Sequence, residues 1–286
     1  MLVVVSHVRL SKLDATGNDF LVLIDLDDAH APTPDDVRAL CDRRDGIGAD
    51  GLLRILPGRD GADLSMELTN ADGGRAEMSG NGMRCVAAAA RRAGLVTTMR
   101  FTVATDAGIK TVEWAETDVS AYARVDMGPA TFDPSAIPLA VDSAFGLKAE
   151  VDGVVYEGDA AGVGNPHFVL FVDDPLAVPV ENHGARLEHD TRFPHRVNVE
   201  FIRVVARDLI RMRVWERGVG ETRSCGTGAC AAAAVARHRG LVDDLVRVEV
   251  PGGTLTVELD GTMWLGGPVG FVGDHDVRLG RGSGTP

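Results

Sequence analysis

Long apolar runs are absent from this chain. The longest, residues 229–236, falls far short of the ~20 residues that a membrane-spanning helix needs. The opening Met-Leu-Val-Val-Val is too short for a secretory apolar region and has no basic start, so a cytoplasmic protein with no membrane partner is expected. Positive charge is scarce: 29 Lys and Arg stand against 42 Asp and Glu, a formal net charge of −13. That balance argues against a nucleic-acid partner or an anionic membrane surface, while leaving room for a small substrate in a pocket of opposite sign. Cysteines are few. Cys41, Cys85, Cys225 and Cys230 show no C-x-x-C zinc spacing, and in a reducing compartment they should be thiols. No His/Asp cluster has metal-ligand spacing and no Walker motif is present. The glycine-rich Asp45-Gly46-Ile47-Gly48-Ala49-Asp50-Gly51 is not a dinucleotide fingerprint.

What the chain does contain is one device built twice. Residues 79–96 read SGNGMRCVAAAARRAGLV and residues 225–242 read CGTGACAAAAVARHRGLV. In each, a small residue with a nucleophilic atom precedes Gly-x-Gly, an alanine-rich stretch and Gly-Leu-Val. Ser79 and Cys225 are 146 residues apart, about half of the 286. The repeat extends outward. Gly17-Asn18-Asp19-Phe20 resembles Gly164-Asn165-Pro166-His167 at an offset of 147, and Asn70 and Glu216 each stand nine residues before their head. Four offsets within one residue of each other mark two homologous halves.

Each half reads as strands with helical insertions, and 45% hydrophobic residues suffice to bury a core. Short β-like stretches follow each Gly-Leu-Val, at 100–104 and 110–114 and again at 247–250 and 254–258, joined by glycine turns. Residues 33–43 read as a helix, with Pro34 at its start and Asp35 and Asp36 in its first turn. The alanine-rich segments are the strongest helix signals, ending in basic residues and then glycine. Having almost no polar face, they should be enclosed by the strands of their own half. The two-proline stretch 132–138 suits the start of the second half, and 281–286 reads as a disordered tail.

A thiol or hydroxyl placed just before a helix start faces backbone N–H groups that have no acceptor within the helix. Those groups attract negative charge. A substrate carboxylate can dock there, and a cysteine there is expected to have a lowered pKa. Ser79 taken alone suits a simple N-cap better than a functional head; cysteine is not a preferred cap, which makes Cys225 the more telling head. One group on each face of a flat intermediate suits removing a proton from one side of a carbon and returning one on the other. Asn18, Asn70, Asn165 and Asn198 carry both donors and acceptors, although each also suits a turn. Arg217 can hold a carboxylate, Glu216 can accept from an ammonium, and His167 and Glu216 can tune a nearby thiol. Cys85 and Cys230, inside apolar helices, read as core.

The stretches Asn70-Ala71-Asp72-Gly73, Ser79-Gly80-Asn81-Gly82, Gly164-Asn165-Pro166-His167, Val197-Asn198-Val199-Glu200 and 216–230 together resemble the diaminopimelate epimerase family, over nearly the whole chain. The resemblance implies an α/β (α+β) fold of two homologous halves related by a pseudo-twofold, each a mixed-strand, barrel-like sheet around a central helix. On this chain the halves fall at 1–122, joined by 271–286, and at 123–270, with the active site in the cleft between them. It implies a cofactor-free isomerase, independent of pyridoxal phosphate, that interconverts LL- and meso-diaminopimelate in lysine and peptidoglycan precursor synthesis, as a homodimer. By motif, Cys225 is one catalytic acid/base. Gly226 and Thr227 bind a carboxylate opposite Gly80 and Asn81, and Asn18, Asn70, Asn165, Asn198, Glu216 and Arg217 bind substrate. His167 and Glu216 adjust the thiols.

The departure is central: the family's other catalytic cysteine falls on Ser79. Cys85 lies six residues on, about 9 Å along a helix at ~1.5 Å per residue, too far to replace it. Four readings stay open: an epimerase with a native Ser–Cys pair; an engineered Cys→Ser form that binds diaminopimelate without efficient turnover; an isomerase or dehydratase on a related amino acid; and a non-catalytic amino-acid binder.

Overall fold

The alternation of apolar and polar residues in stretches such as 121–128 and 147–151 produces strands with one buried face, and the alanine-rich segments become the helices those faces enclose. A computed structural model of the chain describes residues 5–116 and 121–280. The expected disordered tail at 281–286 and most of the opening five residues lie outside the described residues.

The chain divides into two units, residues 1–125 with 267–286, and residues 126–266. The first contains β1 (Val5–Ala15), β2 (Asn18–Ile24), α1 (Pro34–Cys41), β3 (Gly51–Pro57), β4 (Leu64–Asn70), β5 (Arg75–Ala76), α2 (Gly80–Arg92), β6 (Arg100–Thr105), β7 (Gly108–Glu116) and most of β8 (Ala121–Gly128). The second contains β9 (Leu147–Val151), β10 (Val154–Gly162), β11 (Pro166–Phe171), α3 (Val180–Leu187), β12 (Asn198–Ala206), β13 (Leu209–Glu216), β14 (Gly220–Thr222), α4 (Gly226–His238), β15 (Leu245–Val250), β16 (Gly253–Asp260) and the start of β17 (Thr262–Gly280).

Pairing repeats between the units. In the first, hydrogen-bonded neighbours run β17, β1, β2, β3, β4, β6, β7, β8, and β8 pairs back with β17, so eight strands close on themselves. The second runs β9, β10, β11, β12, β13, β15, β16, β17. Most pairs are antiparallel, but each unit has two parallel pairs at matching places: β2 with β3 and β4 with β6, then β11 with β12 and β13 with β15. Parallel neighbours need a crossover. The crossovers after β4 and β13 carry α2 and α4, so each alanine-rich helix follows, past the short β5 or β14, a strand that ends in a polar residue, Asn70 or Glu216.

The helices are enclosed as their composition requires. Ala229–Ala236 lie buried along α4, and Cys85 and Cys230 are wholly in the core. The exception is Arg84, a guanidinium fully buried in α2. Gly158 of β10 lets a neighbouring backbone approach: a Cβ there would sit 1.9 Å from the Val169 carbonyl oxygen, which only glycine permits. Helix α1 starts as read, with Thr33 and Asp36 forming a capping box, but ends at Cys41 rather than Arg43. Arg43 instead ion-pairs Asp19 and Asp50.

Candidate active site

Both heads are N-caps in extended conformation, Ser79 at φ −137° and Cys225 at φ −122°. Their side chains do the same work. Gly82 N–H donates to Ser79 Oγ at 3.0 Å, and Gly228 N–H donates to Cys225 Sγ at 3.4 Å. Methionine 83 and alanine 229 begin the helical ladder on the head carbonyls. The first N–H groups of each helix, such as those of Gly80 and Gly226, therefore have no acceptor within the helix and make a site for an anion.

In the second unit a polar cluster gathers behind Cys225. The β11–β12 register sets His167 opposite Asn198, and Glu200, two residues on, shares their face. His167 Nδ1 lies 2.6 Å from Glu200 Oε1 and its Nε2 lies 2.7 Å from Asn165 Oδ1. Asn165 Nδ2 donates to Thr227 Oγ1 at 3.4 Å, and that oxygen is 3.5 Å from Cys225 Sγ. Glu216, at the end of β13, accepts from the Thr222 hydroxyl and interacts with the Cys225 thiol. Burial pushes the Glu216 carboxyl above its ordinary range, against the hydrogen bonds from Thr222 and Cys225 and the nearby His167. Burial, together with the Glu216 and Glu200 carboxylates, also pushes Cys225 well above the ordinary thiol value. Thr227 and the Gly228 N–H only partly oppose this. The lowered pKa expected of a cysteine at a helix start is thus reversed, because loss of solvent and two carboxylates outweigh a few N–H dipoles.

The shift on Glu216 has a stability consequence. Its folded pKa lies above the unfolded value of 4.5, so the native state binds more protons across that interval and stability falls as pH rises through it. Glu216→Gln is expected to raise Tm at pH 7 and to leave it unchanged below about pH 4, where the carboxyl is protonated in both states. Thermal melts of the two proteins across pH check this. A lower Tm for the variant at pH 7 would mean that its hydrogen bonds outweigh the burial of the charge.

In the first unit, Asn18 and Asn81 meet. Asn81 Nδ2 donates to Asn18 Oδ1 at 3.1 Å, and Asn18 Nδ2 donates to Asp50 Oδ2 at 2.6 Å. Arg84 donates to Asn81 Oδ1 at 2.6 Å and to Thr16 Oγ1 at 2.9 Å. Burial lowers the Arg84 guanidinium to about 10, only partly opposed by Cys85, Tyr122 and Asp14. Asn70 closes β4, and its side chain hydrogen-bonds no described residue.

The remaining expected ligands are placed differently. Asn198 donates to the Pro166 carbonyl at 3.0 Å and accepts from Arg217 N–H at 2.9 Å, so its amide already braces the backbone. That bond positions Arg217, whose guanidinium donates to the His195 carbonyl and forms no ion pair among the described residues. Sequence reasoning missed Glu200, Asp50 and Arg84. The signal for two of them was present: Glu200 is the one acid in an otherwise mostly apolar strand, and Arg84 stands in the apolar body of its helix, well before the basic end at Arg91 and Arg92. No group of three or more His, Cys, Asp or Glu among the described residues could hold a metal ion.

These units place the chain in a fold class shared with amino-acid racemases. A probable proline racemase from Agrobacterium radiobacter is similar in structure, with a TM-score of 0.69 at 18% sequence identity, covering 94% of this chain and 92% of that one. The family follows from sequence. The family model for diaminopimelate epimerase matches residues 10–133 and 160–264. The chain is 42% identical over 280 residues to the diaminopimelate epimerase of Pseudomonas entomophila, covering 95% of this chain and 99% of that one. It is 41% identical over 276 residues to diaminopimelate epimerase 1 of Nostoc sp., covering 93% and 98%. The chain belongs to the diaminopimelate epimerase family.

Proposed function

We propose that this protein is a cofactor-independent isomerase that interconverts LL- and meso-diaminopimelate by moving a proton at the α-carbon. Membership of the family supports the substrate. The observation that carries the chemistry is Cys225, a buried thiol capping a helix start, beside a carboxyl that burial has made more basic. The Cys225 proton passes to Glu216, and the thiolate takes the α-hydrogen. The electron pair of the broken C–H bond moves into the substrate carboxylate, whose oxygens meet the N–H groups at the helix starts around Gly226, Thr227, Gly80 and Asn81. Ser79 serves the opposite face, where its hydroxyl gives a proton to the carbanion as a solvent water gives one to its oxygen, with Asn18, Asn70, Asn165, Asn198 and Arg217 orienting the substrate. His167 acts on the thiol from behind.

The test is α-proton exchange in heavy water, followed by NMR with LL- and meso-diaminopimelate as separate substrates. Deuterium entering both isomers with interconversion is the expected result. Loss of water and appearance of a keto acid would replace this reading with a dehydratase. We further propose a cytoplasmic homodimer with no nucleic-acid or membrane partner. Exposed Phe271 and Val272 on β17 offer apolar surface for a second copy, and no helix among the described residues is long and apolar enough to cross a membrane.

A further inference from the structure

The second unit holds a buried carboxylate that no step above uses. Glu200 is 0% exposed, and its Oε2 has no hydrogen-bond partner among the described residues. Its Oε1 contacts His167, also 0% exposed. A half-satisfied buried carboxylate is costly, and an apolar residue would fill the space more cheaply. The other half does so: at offsets of 147, Leu53 stands for Glu200 and Phe20 for His167, both buried. The positions correspond in space as well. A Cβ on Gly82 would meet Leu53 at 3.2 Å, whereas a Cβ on Gly228 would meet Glu200 Oε1 at 2.8 Å and Cys225 Sγ at 3.3 Å. Glu200 therefore lies directly under the first turn of the catalytic helix, in the half that carries the thiol.

From Glu200 an unbroken polar chain reaches that thiol: Glu200 Oε1, His167 Nδ1 and Nε2, the Asn165 amide, Thr227 Oγ1, Cys225 Sγ. Hydrogen bonds have direction, so with Glu200 ionised two arrangements satisfy every link of the chain and differ in what Thr227 presents to the thiol. When His167 carries both ring protons, it donates to Glu200 and to Asn165 Oδ1. The Asn165 N–H then donates to the Thr227 oxygen, and the Thr227 hydroxyl proton is left to point at a Cys225 thiolate. When His167 carries one ring proton, Glu200 holds it on Nδ1, because a carboxylate can only accept. Nε2 must then accept, the Asn165 amide turns over, Thr227 donates to Asn165 Oδ1, and the Thr227 oxygen accepts from a Cys225 thiol.

We propose that Glu200 is a positioning residue which, through His167, Asn165 and the Thr227 hydroxyl, sets whether the chain offers Cys225 a hydrogen-bond donor or an acceptor. No proton travels through the amide; only the direction of each bond changes. The charged and titratable groups around this thiol are His167 on β11, Glu200 on β12 and Glu216 on β13, with Thr227 and the Gly228 N–H from α4 itself. The proposal rests on the reading of Cys225 as acid/base.

The experiment uses the full chain and Glu200→Gln, following the rate of Cys225 alkylation by iodoacetamide with peptide-resolved mass spectrometry across pH. Direct electrostatics and the relay predict opposite signs. Removing a carboxylate that raises the thiol should by itself speed alkylation at a given pH. Turning the chain so that it accepts from Cys225 instead of donating to it should slow alkylation, by roughly tenfold for each pKa unit by which the thiol rises. Slower alkylation in Glu200→Gln, turned into a modest speeding when Thr227→Val is also present and only the direct electrostatic effect remains, is the expected result. An unchanged or faster rate, or a slowing that persists in the Thr227→Val background, overturns the proposal. Thr227→Val and Thr227→Ser test the same link without touching the buried pair: the valine must slow alkylation and the serine must restore it. Heavy-water exchange is run on the same proteins. Exchange surviving in Cys225→Ala would overturn the functional reading, whereas wild-type exchange without the alkylation shift would overturn only the relay.

Discussion

Replacing Cys225 by alanine is expected to lower kcat/KM for both diaminopimelate isomers by about a thousandfold, the middle of the range for losing a positioned general acid/base. No other described thiol can substitute. Cys85 and Cys230 lie inside their helices with no exposed surface, and Cys41 ends α1 packed in the apolar cluster of Val8, Leu10 and Val37, so none stands at a helix start as Cys225 does. The substitution should leave the fold intact, because alanine is smaller than the thiol it replaces and the Ala229 N–H still bonds the residue 225 carbonyl. The check is α-deuterium exchange in both directions, with circular dichroism to show a folded chain. Exchange within tenfold of wild type would place the base elsewhere and remove the central role assigned to this head.

Ser79→Cys is expected to act the other way and raise the rate of LL-to-meso conversion on the order of a hundredfold, since a hydroxyl is much the weaker acid and each pKa unit is worth about 1.36 kcal/mol. The geometry admits the change. Cys225 shows that a thiol can occupy this N-cap, with Sγ accepting from the N3 residue as Ser79 Oγ accepts from Gly82. Ser79→Ala separates chemistry from capping: it should cost about 1 kcal/mol of stability through the lost cap. If it matches wild type in turnover, Ser79 contributes only the cap. A slower Ser79→Cys protein would show instead that this half is built around a hydroxyl. Its surroundings differ enough to make that a real contest: Asn81 is oriented by a guanidinium, Arg84, and Asn18 by Asp50, where the thiol side has an imidazole and two carboxylates.

The heads were legible because N-cap chemistry is local. A small residue, Gly-x-Gly and an alanine run specify a helix start within one turn, and the repeat at offsets of 146 and 147 located the equivalent strands. The turn-linked pairs β6–β7 and β15–β16 were legible for the same reason. Helix α3 was not: it follows Pro179 with no side-chain cap and no alanine run, and tertiary packing of Val180 and Leu187 defines it.

Sequence alone determined the duplication, the family resemblance, the two helix starts and the Ser–Cys asymmetry between them, since each is written in residues close together along the chain. Only the tertiary structure decided what surrounds those heads. It set Glu200 against His167 through a parallel register between strands separated by about thirty residues. It spent the Asn198 amide on backbone and buried Arg84 against amide, hydroxyl and carbonyl oxygens. It also reversed the expected direction of the Cys225 shift. Burial and charge act through space, so the acidity of a thiol depends on neighbours that no local pattern in the sequence can specify.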